Sequence, residues 1–178
     1  MSAPVSSAPE VLFSAAEIAD RIESLAETIA GDLGNDIIAV PVMTGAMVFA
    51  ADLIRALWRR GVAIEVMPIR VRSYGASRSA ESAPVLTMPL DKPIEGRTAL
   101  LIDGVCDVGH TLEVALAHLK DFGAARTASV VLVDKPARRG VPARPDYAGF
   151  TCEDVFVAGY GMDAGGALRH LPYVGVMR

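Results

Sequence analysis

The stretch ALLIDGVCDVGHTLEVAL (99–116) constrains this chain more than any other. TALLIDG (98–104) reads as a buried strand, and VGHTLEVALAHLKDFGA (108–124) carries a helical pattern. A strand that empties through a short loop into a helix leaves the first helical N–H groups unpaired. The positive end of the helix dipole then faces the loop, which makes an anion site. Gly109 lets the main chain approach a ligand closely, and Thr111 adds a hydroxyl donor. Asp103 and Asp107 stand beside the cradle as acceptors suited to ribose hydroxyls, a metal ion or a base N–H. An anion cradle flanked by acceptors points to a nucleotide.

The flanking chain supplies the rest of an α/β fold. Ile18, Ile22, Leu25 and Ile29 form one helical stripe, opened by Ser14 with Glu17 three residues on and closed by Gly31 or Gly34. DIIAVPVM (36–43) predicts a buried strand, GAMVFAADLIRALWRRG (45–61) a helix, VAIEVMPIRVR (62–72) a strand and ARTASVVLVDK (125–135) another. SYGASRSAESAPV (73–85) has no period and reads as a loop, with loop character extending to 88. A Pro/Arg-rich run leads to a short strand around Asp154–Gly159 and a Gly-rich tail. The first helix and the tail are expected to cap the sheet edge where ligands bind in open α/β folds. Neither a repeat nor a linker divides the chain, so residues 1–178 are expected to form one domain.

Composition excludes several alternatives. With 52% apolar, 21% charged and 6% aromatic residues, the 178-residue chain has the makeup of a globular domain with an aliphatic core. A net charge of −4 argues against nucleic-acid binding through the overall field. Two cysteines cannot frame a disulfide fold and fit a reducing compartment. The longest uncharged apolar stretch, Ile37 to Ala51, is interrupted by Pro41, Thr44 and Gly45 and does not read as a membrane span. A frayed N-terminus without a basic or apolar leader pattern gives a cytoplasmic location as the expectation.

Segment 99–116 resembles the phosphoribosyl-diphosphate (PRPP) motif of type I phosphoribosyltransferases. PVMTGAMVFAADLIRAL (41–57) looks like their pyrophosphate-loop region, and VRSYGASRS (71–79) like the flexible catalytic loop. VLVDKPARR (131–139) resembles the purine-binding strand, and DVFVAGYGMDAGGALRHLPYVGV (154–176) the C-terminal hood of hypoxanthine-guanine phosphoribosyltransferases. Five motifs in register over about 11–178 are far more specific than one loop.

The resemblance implies a central, mostly parallel sheet flanked by helices, with a small hood built from about 11–34 and 154–178. It implies transfer of a 5-phosphoribosyl group from PRPP to hypoxanthine or guanine in purine salvage, with Mg²⁺ as cofactor, in a homodimer or homotetramer. Asp107 would be the acid/base near N7 of the purine, and Val108, Gly109, His110 and Thr111 would wrap the 5′-phosphate. Thr44 and Gly45 would serve the pyrophosphate, and Ser73 and Tyr74 would begin the closing loop. Lys135 would face O6 of a 6-oxopurine, Phe156 would stack on the ring, and the Val157 main chain would read its edge. Asp163, with Asp103, would hold Mg²⁺, and Arg169 would contact the departing pyrophosphate.

Three departures from the family pattern stand out, one of them Thr44-Gly45 where many members carry Lys before Gly in the pyrophosphate loop. The usual acidic pair is Asp103-Gly104, which removes a carboxylate expected at the ribose hydroxyls, and the usual Thr after the catalytic Asp is Val108. Gly104 and Val108 motivate one alternative, a non-catalytic nucleotide-sensing or RNA-binding regulator on the same fold; a transferase preferring another purine such as xanthine is a further alternative. His118 and His170 read as surface residues, and Met43, Met47 and Met162 as packing. The basic run Lys135, Arg138, Arg139 and Arg144 reads as a solvated loop or a subunit interface.

Overall fold

The computed structural model describes residues 8–72 and 84–177. Its strands are β1 (Glu10–Phe13), β2 (Asp36–Pro41), β3 (Ala63–Val66), β4 (Arg70–Arg72), β5 (Val85–Met88), β6 (Thr98–Cys106), β7 (Arg126–Asp134), β8 (Tyr147–Thr151), β9 (Phe156–Ala158) and β10 (Val174–Met177). Its helices are α1 (Ala15–Leu33), α2 (Met47–Trp58) and α3 (His110–Asp121). The main sheet is parallel, in the order β3-β2-β6-β7-β8.

Alternation along the strands divides the core into two layers. Ile37, Ala39, Leu100, Ile102, Val130 and Leu132 face α1 and α2, meeting Ile18, Ile22, Ile29, Phe49 and Leu53. Ile38, Val40, Ala99, Leu101 and Val131 face the other way. There they meet Leu112, Ala115 and Leu119 of α3, with Leu90 and Ile94 of the segment after β5. Helices therefore cover both faces of a parallel sheet, as its continuous apolar strands require.

Four sequence expectations are corrected. The first helix is no cap: its stripe is buried in the main core, and only β1 at its front joins the C-terminal strands, in the antiparallel sheet β1-β10-β9. Helical periodicity shows which face is apolar but not what will cover it. Residues 62–72 are two strands, because β3 ends at Val66 and Pro68 has no N–H to offer a ladder. Past Pro68 the chain re-pairs as β4 with β5, so 85–88 is strand rather than loop. β8 has no counterpart among the expected strands. It is short and carries Gly149, where a Cβ would stand 2.6 Å from the Leu132 carbonyl oxygen of β7.

The predicted capping box on α1 is present, with the Ser14 N–H donating to Glu17 Oε2 at 2.8 Å and the Glu17 N–H donating to Ser14 Oγ at 3.3 Å. Arg21, one turn on, donates to the Gly149 and Ala148 carbonyls at 2.6 and 2.9 Å, which covers the outer edge of β8.

Candidate active site

Parallel strands bring their C-terminal ends to one edge, and the loops leaving β2, β6 and β7 meet there. They enclose a cavity of about 640 Å³ lined by Thr44, Gly45, Asp103, Asp107, Thr111, Lys135, Phe156, Val157, Asp163 and Arg169. An adjoining hollow of about 290 Å³ is lined by Asp103, Asp107, Val108, Gly109, His110 and Thr111. The structure thus brings together every site residue named from the sequence except Ser73 and Tyr74, which lie outside the described residues.

Strand β6 runs two residues past Gly104 to Cys106, so Asp103 sits on the strand and the turn proper is Asp107–Gly109. Gly109 is the α3 N-cap, with φ +101° and no side-chain cap. A Cβ there would meet Val141 Cγ2 at 2.9 Å and Arg139 Cδ at 3.1 Å, so both conformation and space require glycine. No side-chain cap hydrogen bond occupies the helix start, whose residues Gly109, His110 and Thr111 line the smaller hollow. Val108 is held by its carbonyl, which accepts the Gly140 N–H at 2.9 Å.

The Asp103 Oδ1 accepts the Gly104 N–H at 2.7 Å. Burial penalises its charged form more than that bond favours it, and its pKa is raised to about 7. A cation beside it would reverse the balance. Asp163 Oδ1 lies 2.6 Å from Arg169 Nη2, while its Oδ2 accepts the Gly166 N–H at 2.7 Å. Arg169 also donates to the Gly161 carbonyl at 2.7 Å, which fixes it at the cavity wall.

Lys135 is 5% exposed at the end of β7, and among the described residues its ammonium group has neither an ion pair nor a hydrogen bond. The side chain lines the cavity, where an acceptor carried by a ligand can meet the ammonium. Phe156 is 56% exposed on β9, too open for a core aromatic.

Of the basic run Lys135, Arg138, Arg139 and Arg144, Arg138 and Arg144 are exposed as a solvated loop requires, but Lys135 and the Arg139 side chain are buried. Arg139 has a side chain only 4% exposed and pairs with Asp134; it touches Cys106 Sγ and donates to the Asp107 carbonyl at 3.1 Å. Arg138 reaches Asp107 and Asp154. Arg70 and Arg72 also line the cavity; their Arg-Val-Arg alternation places both on one side of β4, a period-two signal in the sequence. His118 is only partly at the surface, with its Nε2 accepting the Leu90 N–H at 3.1 Å, whereas His170 is exposed as expected. Five basic side chains (Arg70, Arg72, Lys135, Arg138, Arg169) thus share the cavity with three carboxylates, an excess that suits a polyanion.

Comparison with known proteins agrees with this geometry. The family model of the phosphoribosyl transferase domain matches residues 11–164. The hypoxanthine phosphoribosyltransferase of Escherichia coli (strain K12) is 35% identical over 169 residues, covering 93% of each chain. The hypoxanthine-guanine phosphoribosyltransferase of Bacillus subtilis (strain 168) is 33% identical over 171 residues, covering 95% of this chain and 93% of its own. A solved Trypanosoma cruzi hypoxanthine phosphoribosyl transferase superposes with a TM-score of 0.90 at 30% identity, covering 99% of this chain and 95% of that one. Anion cradle, basic cavity and full-length similarity agree: the chain belongs to the phosphoribosyl transferase domain family.

Proposed function

We propose that the protein transfers the 5-phosphoribosyl group of PRPP to hypoxanthine or guanine, releasing pyrophosphate, as a purine-salvage enzyme. The observation that carries the choice of base is Lys135. Its side chain, 5% exposed, lines the cavity with no protein acceptor for the ammonium among the described residues, and it suits the O6 carbonyl of a 6-oxopurine. The 6-amino group of adenine would set donor against donor. Phe156 stacks on the ring, and the Val157 main chain reads its edge.

Asp107 faces the base nitrogen and holds or takes its proton as the bond to ribose C1 forms. The amides of Val108, Gly109, His110 and Thr111, with the Thr111 hydroxyl, hold the 5′-phosphate at the start of α3. Thr44 and Gly45 hold the pyrophosphate, and Arg169 meets the charge that grows on it as it leaves. Ser73 and Tyr74 begin the segment that excludes water once both substrates are in place.

Mg²⁺ takes oxygen ligands and is commonly held by one or two carboxylates together with substrate phosphates. Asp103 and Asp163 are two of the three carboxylates lining the cavity and would hold it: Asp103 has one oxygen committed to the Gly104 N–H and one to offer, while Asp163 would share its oxygens with Arg169 and the Gly166 N–H. Among the described residues no cluster of three ligating side chains exists, which suits a metal that arrives with substrate phosphates. When bound, Mg²⁺ neutralises charge on the leaving pyrophosphate.

The cytoplasmic location and the homodimer or homotetramer belong to the same reading. Among the described residues no helix is long and apolar enough to cross a membrane, and α2 exposes Met47 and Trp58, the latter 73% accessible. A spectrophotometric assay with PRPP, Mg²⁺ and each purine tests the proposal. Turnover with hypoxanthine or guanine is expected, falling about 10²–10⁴-fold in a folded Asp107→Asn variant. Absence of turnover with every purine, alongside nucleotide binding, would establish the regulator instead, and turnover with xanthine alone would change the substrate.

A further inference from the structure

Asp107 is held asymmetrically. Its Oδ1 is shut off from solvent and lies 3.0 Å from Arg138 Nε, a contact that is an ion pair rather than an aligned hydrogen bond. The Asp107 side chain nevertheless remains 38% exposed. With Oδ1 closed off, the accessible polar atom is Oδ2, on the side of the cavity that Asp107 lines. Its backbone is pinned separately, by the Arg139 bond to its carbonyl.

Arg138 is itself held at two points. Its N–H donates to the Lys135 carbonyl at 3.2 Å in the turn Pro136–Arg138, and its Nη1 lies 3.1 Å from Asp154 Oδ1. Asp154 precedes β9 by two residues, and β9 carries Phe156 and Val157. One guanidinium therefore spans the acid at the β6 turn and the approach to the strand that flanks the base. A planar fork can hold two carboxylates in fixed directions, which a single ammonium cannot.

We propose that Arg138 is a positioning residue for the transfer: it clamps Oδ1 of Asp107 so that Oδ2 is aimed at the purine nitrogen, and it uses Asp154 to keep that aim in register with the base-binding strand. The proposal rests on the reading of Asp107 as the group facing the base. Without Arg138, the buried Oδ1 has no countercharge, and the carboxylate turns outward or reorients. The error falls on the chemical step, where misplacing a reacting group by about 1 Å can cost on the order of 10²-fold. Although Arg138 lines the cavity, its charge is engaged by Asp107 and Asp154, so PRPP binding rests on the other basic side chains and is largely spared.

The test compares Arg138→Met, Arg138→Lys and Asp154→Asn with wild type, by steady-state kinetics with hypoxanthine and PRPP. Thermal melts are expected to be little changed, since the Arg138 side chain is half exposed. Arg138→Met is expected to lower kcat at least tenfold with KM for PRPP within twofold. Arg138→Lys should recover part of that loss. Asp154→Asn should lower kcat less than Arg138→Met and add nothing in its background. Wild-type kcat in Arg138→Met, or a rise in the PRPP KM matching the fall in kcat, would overturn the proposal.

A readout independent of turnover is the ¹³C carboxyl resonance of Asp107, assigned by its loss in Asp107→Asn. It is expected to move in Arg138→Met and return toward its wild-type position in Arg138→Lys; no movement overturns the clamp even if the enzyme is active. A wild type that transfers to no purine would defeat the reading of function, and the resonance would still decide whether Arg138 orients Asp107.

Discussion

Gly104 stands against Gly45. A Cβ at 104 would lie 3.0 Å from the Gly45 carbonyl oxygen and 3.1 Å from Met162 Cγ, while one at Gly161 would lie 2.6 Å from the same Gly45 oxygen. The missing second carboxylate at 104 therefore coincides with a close crossing of backbones, where the loop after β2 passes between the end of β6 and the loop after β9.

Restoring an acid by Gly104→Asp is on this account harmful. The backbone at 104 is outside the positive-φ region, so the cost is one of space, about 1–3 kcal/mol for overpacking, and the new charge sits beside a carbonyl oxygen. We expect KM for PRPP to rise severalfold, with Gly104→Ala showing the steric part alone. A fall in KM for PRPP would mean that the crossing yields easily and that the lost carboxylate was the limiting feature.

Lys135→Met keeps most of the buried volume and removes the donor. A hydrogen bond to a charged group contributes about 1.5–3 kcal/mol, so KM for hypoxanthine should rise on the order of 10–100-fold with little change for PRPP. Equal effects on both substrates would mark the lysine as structural.

Arg139→Met leaves Asp134 buried without its cation and frees the Asp107 carbonyl. Breaking a buried pair from one side typically costs about 3–5 kcal/mol. The urea midpoint should fall with an unchanged slope. A loss below about 0.5 kcal/mol would show that the pair is effectively solvated.

His118 makes stability depend on pH. Burial lowers its pKa below the ordinary 6.5, against a smaller opposing pull from Asp121. The Leu90 N–H bond to Nε2 also requires the neutral ring. As pH falls, the unfolded chain takes up the proton first. The contribution of His118 is therefore whole above about pH 6.5 and is lost as pH drops from there through the lowered folded value. Urea titrations between pH 7.5 and 5 should show that loss in wild type and a flatter profile in His118→Gln. Parallel profiles would acquit the histidine.

What the sequence disclosed is what neighbours in the chain decide. The turn Asp107–Gly109 and its helix were legible because strand, glycine and helix start lie within a dozen residues. The same holds for the Ser14–Glu17 cap and the α1 stripe. Arg138 and Arg139 were not, because their pairing depends on where the turn after β7 falls relative to the turn after β6, a tertiary fact. Gly104 looked like a loss for the same reason, since the atoms that fill its place come from Gly45 and Met162. β8 escaped because five residues with a central glycine carry too little pattern.

The antiparallel sheet has a consequence for how the protein is made and trimmed. β9, which carries Phe156, pairs with β10, and β10 pairs with β1, so the cavity wall that carries Phe156 is closed by strands far apart in the sequence. The Asp107–Gly109 turn lies between β6 and α3, which precede β9 and β10 in the chain. During synthesis that turn emerges well before the wall that carries Phe156, and a protease that clips Val174–Met177 would strip β9 of its strand partner while leaving β6 and α3 intact.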